Sequence, residues 1–203
     1  FESVEIDDIY IPKARVLEKS NLQIKLSNLN SEYSDVRCAV QIKTNAGTII
    51  YQNNKIVDVF GKQEIPVEFE WTPDYAGPAN IFVNVYQENR LITKASKDYE
   101  IAAPEGINLA VEKSNFISEK EPFETKLKVN LAFLQKHSLK DISFSVRNEE
   151  KELLTKPFSL KSGQKNHSTD FKVEPNWGYY IVQCRLSTGE KSFFVENKNN
   201  ISY

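Results

Sequence analysis

The chain has 203 residues, a formal net charge of −2, 40% hydrophobic and 27% charged residues, and two cysteines. That balance excludes a nucleic-acid surface built on excess positive charge and a disulfide-stapled miniature domain. No run reaches the roughly 18 apolar residues that a membrane-crossing helix needs, so no membrane span lies in this segment.

In chain order, Ser3 to Ile11 reads as an extended segment ended by Pro12. Asn21 to Leu26 alternates strictly, apolar on the even positions, as a half-buried strand does. Val36, Cys38, Val40 and Ile42 carry that parity onto the next strand. Asn45-Ala46-Gly47 is a turn, followed by a short apolar run from Thr48 to Tyr51. Val67, Phe69 and Trp71 alternate again and meet a corner from Pro73 to Gly77. Ile81, Val83 and Val85 then face inward, with Phe82 and Tyr86 on the other face, and Gln87 to Arg90 turns into a strand ending near Ile101. Ala102 to Gly106 reads as a short linker with Pro and Gly punctuation.

Beyond the linker, Phe123 to Phe133 is the longest clean alternation in the chain, followed by Ile142, Phe144 and Val146. At most one helical turn fits between Leu131 and Leu139. Phe171 and Val173 lead to a second corner, Pro175 to Gly178, and Tyr180, Val182, Cys184 and Leu186 face inward. Ser187-Thr188-Gly189 turns the chain into Lys191 to Val195, and the Asn-rich tail after about residue 197 is expected to fray.

The two halves read as copies. Glu68 to Tyr75 matches Asp170 to Trp177 at an offset of 102, kept by Gly61/Gly163, Val40/Ile142 and Ile42/Phe144. Gly77 and Gly178 follow one deletion later. An internal repeat of this length means two copies of one small domain, 1–103 and 104–203. Each has enough chain for one core, and short strands of period two argue an all-β sandwich.

Gly61-Lys62-Gln63, Val67 to Trp71 with Thr72-Pro73, and Gly77 before Ile81-Phe82-Val83-Asn84-Val85 resemble the CARDB-like group of immunoglobulin-like modules. Those modules recur in prokaryotic surface proteins. Trp177-Gly178 to Val182 resembles the corner-to-strand passage of immunoglobulin-like and macroglobulin-like domains. The resemblance implies two tandem immunoglobulin-like antiparallel β-sandwiches and a presumed role in adhesion. An immunoglobulin domain proper is disfavoured, because the inter-sheet cysteine pair is missing. Cys38 and Cys184 fall one to a copy and read as buried free thiols.

Candidate chemistry is sparse. Phe82, Tyr86 and Tyr179 lie on predicted outer faces and are the aromatics to test for ligand contact. Trp71, Pro73, Tyr75, Pro175, Trp177 and Gly178 occupy the two corners, where closing the ends of the cores explains them. His137 and His167 read as solvated residues of polar loops without metal-ligand spacing. Asp7-Asp8, Glu119 to Glu121 and Glu149-Glu150 supply too few local carboxylates for calcium, and charge on edge strands blocks sheet-to-sheet pairing. Asn166-His167-Ser168 and Asn200-Ile201-Ser202 match the glycosylation triplet and count only in an exported chain.

These readings lead to a non-catalytic spacer or interaction pair, without cofactor or metal, from a larger exported or cell-surface protein. The chain starts at Phe1 and holds no Met, which leads to the expectation that it is cut from something longer. Expected partners are a protein or a cell-surface polymer and flanking domains of the same chain. The alternatives are a carbohydrate-binding module of an exported hydrolase and an accessory pair of a macroglobulin-like or secretion-system protein.

Overall fold

A computed structural model describes residues 4–29, 34–103, 107–111, 123–129, 141–147, 152–158, 166–171, 178–187 and 190–201. Those residues form strands and turns without helix, and every strand pair within the sheets is antiparallel. The fold is all-β and immunoglobulin-like. The chain divides into two compact units, 1–73 with 77–102, and 74–76 with 103–203.

The first unit holds β1 (Val4–Tyr10), β2 (Ser20–Asn28), β3 (Ser34–Thr44), β4 (Ile49–Val59), β5 (Glu64–Trp71), β6 (Gly77–Gln87) and β7 (Arg90–Ile101). One sheet runs β1-β2-β5 and the other β4-β3-β6-β7. Period-two alternation puts Leu22, Ile24 and Leu26 of β2 opposite Phe69, Val67 and Ile65 of β5. Val40 and Ile42 of β3 likewise meet Val83 and Ile81 of β6. Of these, all but Ile65 are buried, and Cys38, Val36 and Val85 join them in the core. Each such Leu, Ile or Phe contributes about 1.5–3 kcal/mol when taken out of water.

Three details depart from simple alternation. A register shift between Ile6 and Asp8 moves the buried set of β1 from Val4 to Ile9, because one extra residue flips the faces. Beyond Pro12 the chain does not leave the sandwich: Ala14 and Val16 are buried and Arg15 bridges Ala102 in parallel. Finally, β4 runs to Val59, well past the apolar run that the sequence marks at Thr48 to Tyr51. Its Gln52 to Lys55 stretch has no alternation to read, and the ladder to Gln41, Val40, Ala39 and Cys38 holds it in line.

The second unit holds β8 (Ile107–Val111), β9 (Phe123–Val129), β10 (Asp141–Arg147), β11 (Glu152–Phe158), β12 (Asn166–Phe171), β13 (Gly178–Ser187) and β14 (Ser192–Ile201). Its sheets, β8-β9-β12 and β11-β10-β13-β14, repeat the strand order of the first unit. Ile142, Phe144, Val146, Val182, Cys184, Leu186 and Phe193 are buried. The segment Asp74–Ala76 belongs to this unit. Ala76 donates its N–H to the Phe194 carbonyl at 3.0 Å, and Phe194 donates to the Asp74 carbonyl at 2.8 Å.

Two expectations are corrected here. His167 is no loop residue: it sits in β12 opposite Leu127, and the Asn166-His167-Ser168 triplet lies in that strand. A polar stretch gives no hydrophobic period, yet its main chain pairs as well as any other. The tail does not leave the sheet at 197 either, since β14 pairs with β13 through Ile201 opposite Gly178. His137, Glu119 to Glu121, Glu149-Glu150 and the segment Leu131 to Leu139 lie outside the described residues.

Candidate functional site

The aromatics singled out by the sequence separate into two groups. Trp71, Pro73 and Tyr75 are buried. Trp71 lies 5.5 Å from the ring of Tyr51, and Tyr75 lies 5.3 Å from that of Phe194. Gly178 opens β13, and Tyr179 pairs with Asn200 there. Pro175 and Trp177 lie outside the described residues. Phe82 and Tyr86, by contrast, sit on the outer face of β6, where Phe82 is 37% exposed and Tyr86 half-buried.

Strand register decides what surrounds them. Ile56, Arg37, Tyr86 and Leu91 form one row across all four strands. Asn54, Ala39, Asn84 and Lys94 form the next, and Gln52, Gln41, Phe82 and Ser96 the third. Cross-strand neighbours on one face lie about 4.5–5.5 Å apart at Cβ, so each row is a contiguous line of side chains. Phe82 and Tyr86 are four residues apart on one strand, hence about 13 Å.

The outward side chains are ordered by one another. The Arg37 guanidinium lies 4.4 Å over the Tyr86 ring, and the Lys43 ammonium 5.6 Å from the Phe82 ring centre. In the Phe82 row, the Gln41 amide donates to the Gln52 side-chain oxygen at 3.1 Å. Ile56 is 71% and Leu91 42% exposed, so both ends of the first row are open to solvent. Among the described residues, no carboxylate makes an ion pair with Arg37, Lys43 or Lys94. Asp35 and Asp58 pair with each other beyond the first row, and Asp98 lies beyond the third.

The sequence alone does not bring Arg37, Gln41, Lys43, Asn84 and Lys94 into view as a set. Their only signal is outward parity on strands whose inward parity is clear. Which of them share a row depends on pairing between residues far apart in the chain, such as Arg37 with Tyr86.

The second unit serves as an internal comparison. Its β10 carries a register shift between Val146 and Arg147, as β3 does between Ile42 and Lys43. Aligned on that shift, Ile42 corresponds to Val146, so β3 matches β10 at an offset of 104. The sequence pairing of Ile42 with Phe144 has an offset of 102, and both alignments keep the same face. In this alignment Arg37–Tyr86 corresponds to Asp141–Ser187, and Gln41–Phe82 to Ser145–Gln183. The second unit builds the same ladder without either aromatic.

The thiols take no part in this face. Cys38 and Cys184 are free and buried. Burial pushes the Cys38 thiol up to about 12 and raises that of Cys184 as well. Within the second unit, burial raises the Asp74 carboxyl above its usual range against the pull of Arg185. Among the described residues there is no group of three or more His, Cys, Asp or Glu placed to hold a metal ion, and no helix long and apolar enough to cross a membrane.

No family model matches the chain, and no curated protein matches it. Among solved structures, it is similar to the CARDB domain of the PF1109 protein from Pyrococcus furiosus, solved in complex with di-metal ions. The identity is 23% and the TM-score 0.41, over 51% of this chain and 98% of that one. A solution structure of the same CARDB domain gives 26% identity and a TM-score of 0.39 over 49% and 93% of the two chains. Red sea bream transglutaminase matches 99% of this chain at 7% identity and a TM-score of 0.41, and this chain covers 31% of it. A CARDB domain is thus among the solved structures to which the chain is similar.

Proposed function

We propose that the chain is a tandem pair of non-catalytic interaction modules, 1–103 and 104–203, from a larger exported or cell-surface protein. It holds flanking domains apart and contacts a protein or a cell-surface polymer, as an adhesive or accessory segment does. One observation carries this reading: the same ladder is built twice, with apolar inward partners in both units and unrelated outward ones. Keeping the core while changing the face is what a scaffold does when its surfaces have separate tasks, since core positions answer to packing and outer positions to partners.

The test is protease shaving of intact source cells, with mass spectrometry of the released peptides. Peptides of this segment released before lysis support the reading. Their release only after lysis overturns export.

A further inference from the structure

We propose that the outer face of the β4-β3-β6-β7 sheet binds an acidic polysaccharide, a chain of sugars bearing carboxylates. The inference deepens the interaction reading above and rests on it.

Phe82 and Tyr86 have no scaffold duty to explain them. The second unit completes the same rows with Gln183 and Ser187. Phe82 is exposed and Tyr86 half-buried, and the second unit's ladder stands without either, so this pair of rings on one face calls for another cause. Rings about 13 Å apart on one strand match sugar rings two or three residues apart along a chain, whose C–H faces they can meet. Between the two aromatics the middle row brings Asn54 and Asn84, and the Gln41–Gln52 pair lies beside Phe82, so amide donors and acceptors are offered to hydroxyl groups.

The charge pattern selects an anionic chain over a neutral one. Arg37, Lys43 and Lys94 border the track, and none forms an ion pair among the described residues. The three rows contain Arg37 and Lys94 and no Asp or Glu; Lys43 shares the next row with Asp98, and Asp35 and Asp58 lie beyond the first. Arg37 is also held in place by its seat on Tyr86, so its fork meets a sugar carboxylate with little ordering left to do.

The experiment is affinity electrophoresis of the whole 203-residue chain in gels containing polygalacturonate or neutral hydroxyethylcellulose, at low and high salt. Polygalacturonate is expected to retard the chain, more at low salt than at high. Phe82→Ala is expected to weaken that retardation at least tenfold. Arg37→Gln removes one of the three charges while sparing the rings and is expected to weaken the salt dependence of the retardation. Urea unfolding midpoints equal to the parent's show that both variants are folded. The proposal is overturned by no retardation in either gel, by equal retardation in both, or by folded variants that bind like the parent. None of those outcomes touches the cell-shaving result, so the broader reading stands or falls separately.

Discussion

The Tyr99 hydroxyl accepts the N–H of Ala14 at 2.5 Å and donates to the carbonyl of Pro12 at 2.6 Å. One phenol thereby closes the break where the first strand leaves β2 and runs beside Ala102. Ala14 is buried, so its N–H has no water to turn to. Tyr99→Phe keeps the ring and orphans the buried Ala14 N–H, while the exposed Pro12 carbonyl turns to water, an expected loss of about 1–3 kcal/mol. Urea unfolding checks this, with an unchanged denaturant slope marking a native-state effect. A loss too small to measure contradicts it.

Gly77 opens β6 at φ 132°, a conformation that L side chains rarely adopt. Gly77→Ala is expected to cost about 1–3 kcal/mol by backbone strain. The same urea experiment decides, and an unaltered midpoint counts against the strain.

The β6–β7 hairpin turns on Glu88 and Asn89, with φ of 48° and 67°. Two positive values in a two-residue loop define a type I′ turn, which favours Asn-Gly. Glu88→Asn with Asn89→Gly is expected to raise the thermal midpoint, since Asn-Gly adopts both positive φ values readily. A fall in thermal midpoint is the contrary result.

Burial lifts the Cys38 thiol from 9.0 to about 12. Between those values only the unfolded chain gives up the proton, so stability falls as pH rises. The contribution is complete below 9 and lost on approaching 12. The slope is at most about 1.4 kcal/mol per pH unit for each thiol. Urea unfolding near pH 8 and about pH 10 is expected to show a smaller alkaline loss in Cys38→Ala than in the parent. Equal losses refute the assignment.

Both thiols are enclosed in the folded chain. A chromogenic disulfide reagent is expected to label neither residue natively and both after unfolding without reductant. Rapid native labelling of either shows that its core is open.

Much of the architecture is legible in alternation. The inward sets of β2, β3, β5 and β6 can be read residue by residue, because a strand with one buried face must repeat every second position. Gly77 and the turn at Glu88-Asn89 are legible too, as breaks in that pattern. Polar strands are not: Gln52 to Lys55 of β4, His167 in β12 and Asn197 to Asn200 of β14 carry no hydrophobic period. Their main chains are held by neighbours that the local sequence does not name.

The candidate face divides along the same line. Sequence by itself determined that Phe82 and Tyr86 point away from the core, since Ile81, Val83 and Val85 point into it. Tertiary structure alone decided that Arg37 lies on Tyr86, that Gln41 lies between Gln52 and Phe82, and that Lys94 stands beside Asn84. Alternation is a property of one strand and survives in its residues. A row is a property of the register among four strands, set by hairpin geometry and by core contacts between residues distant in the chain.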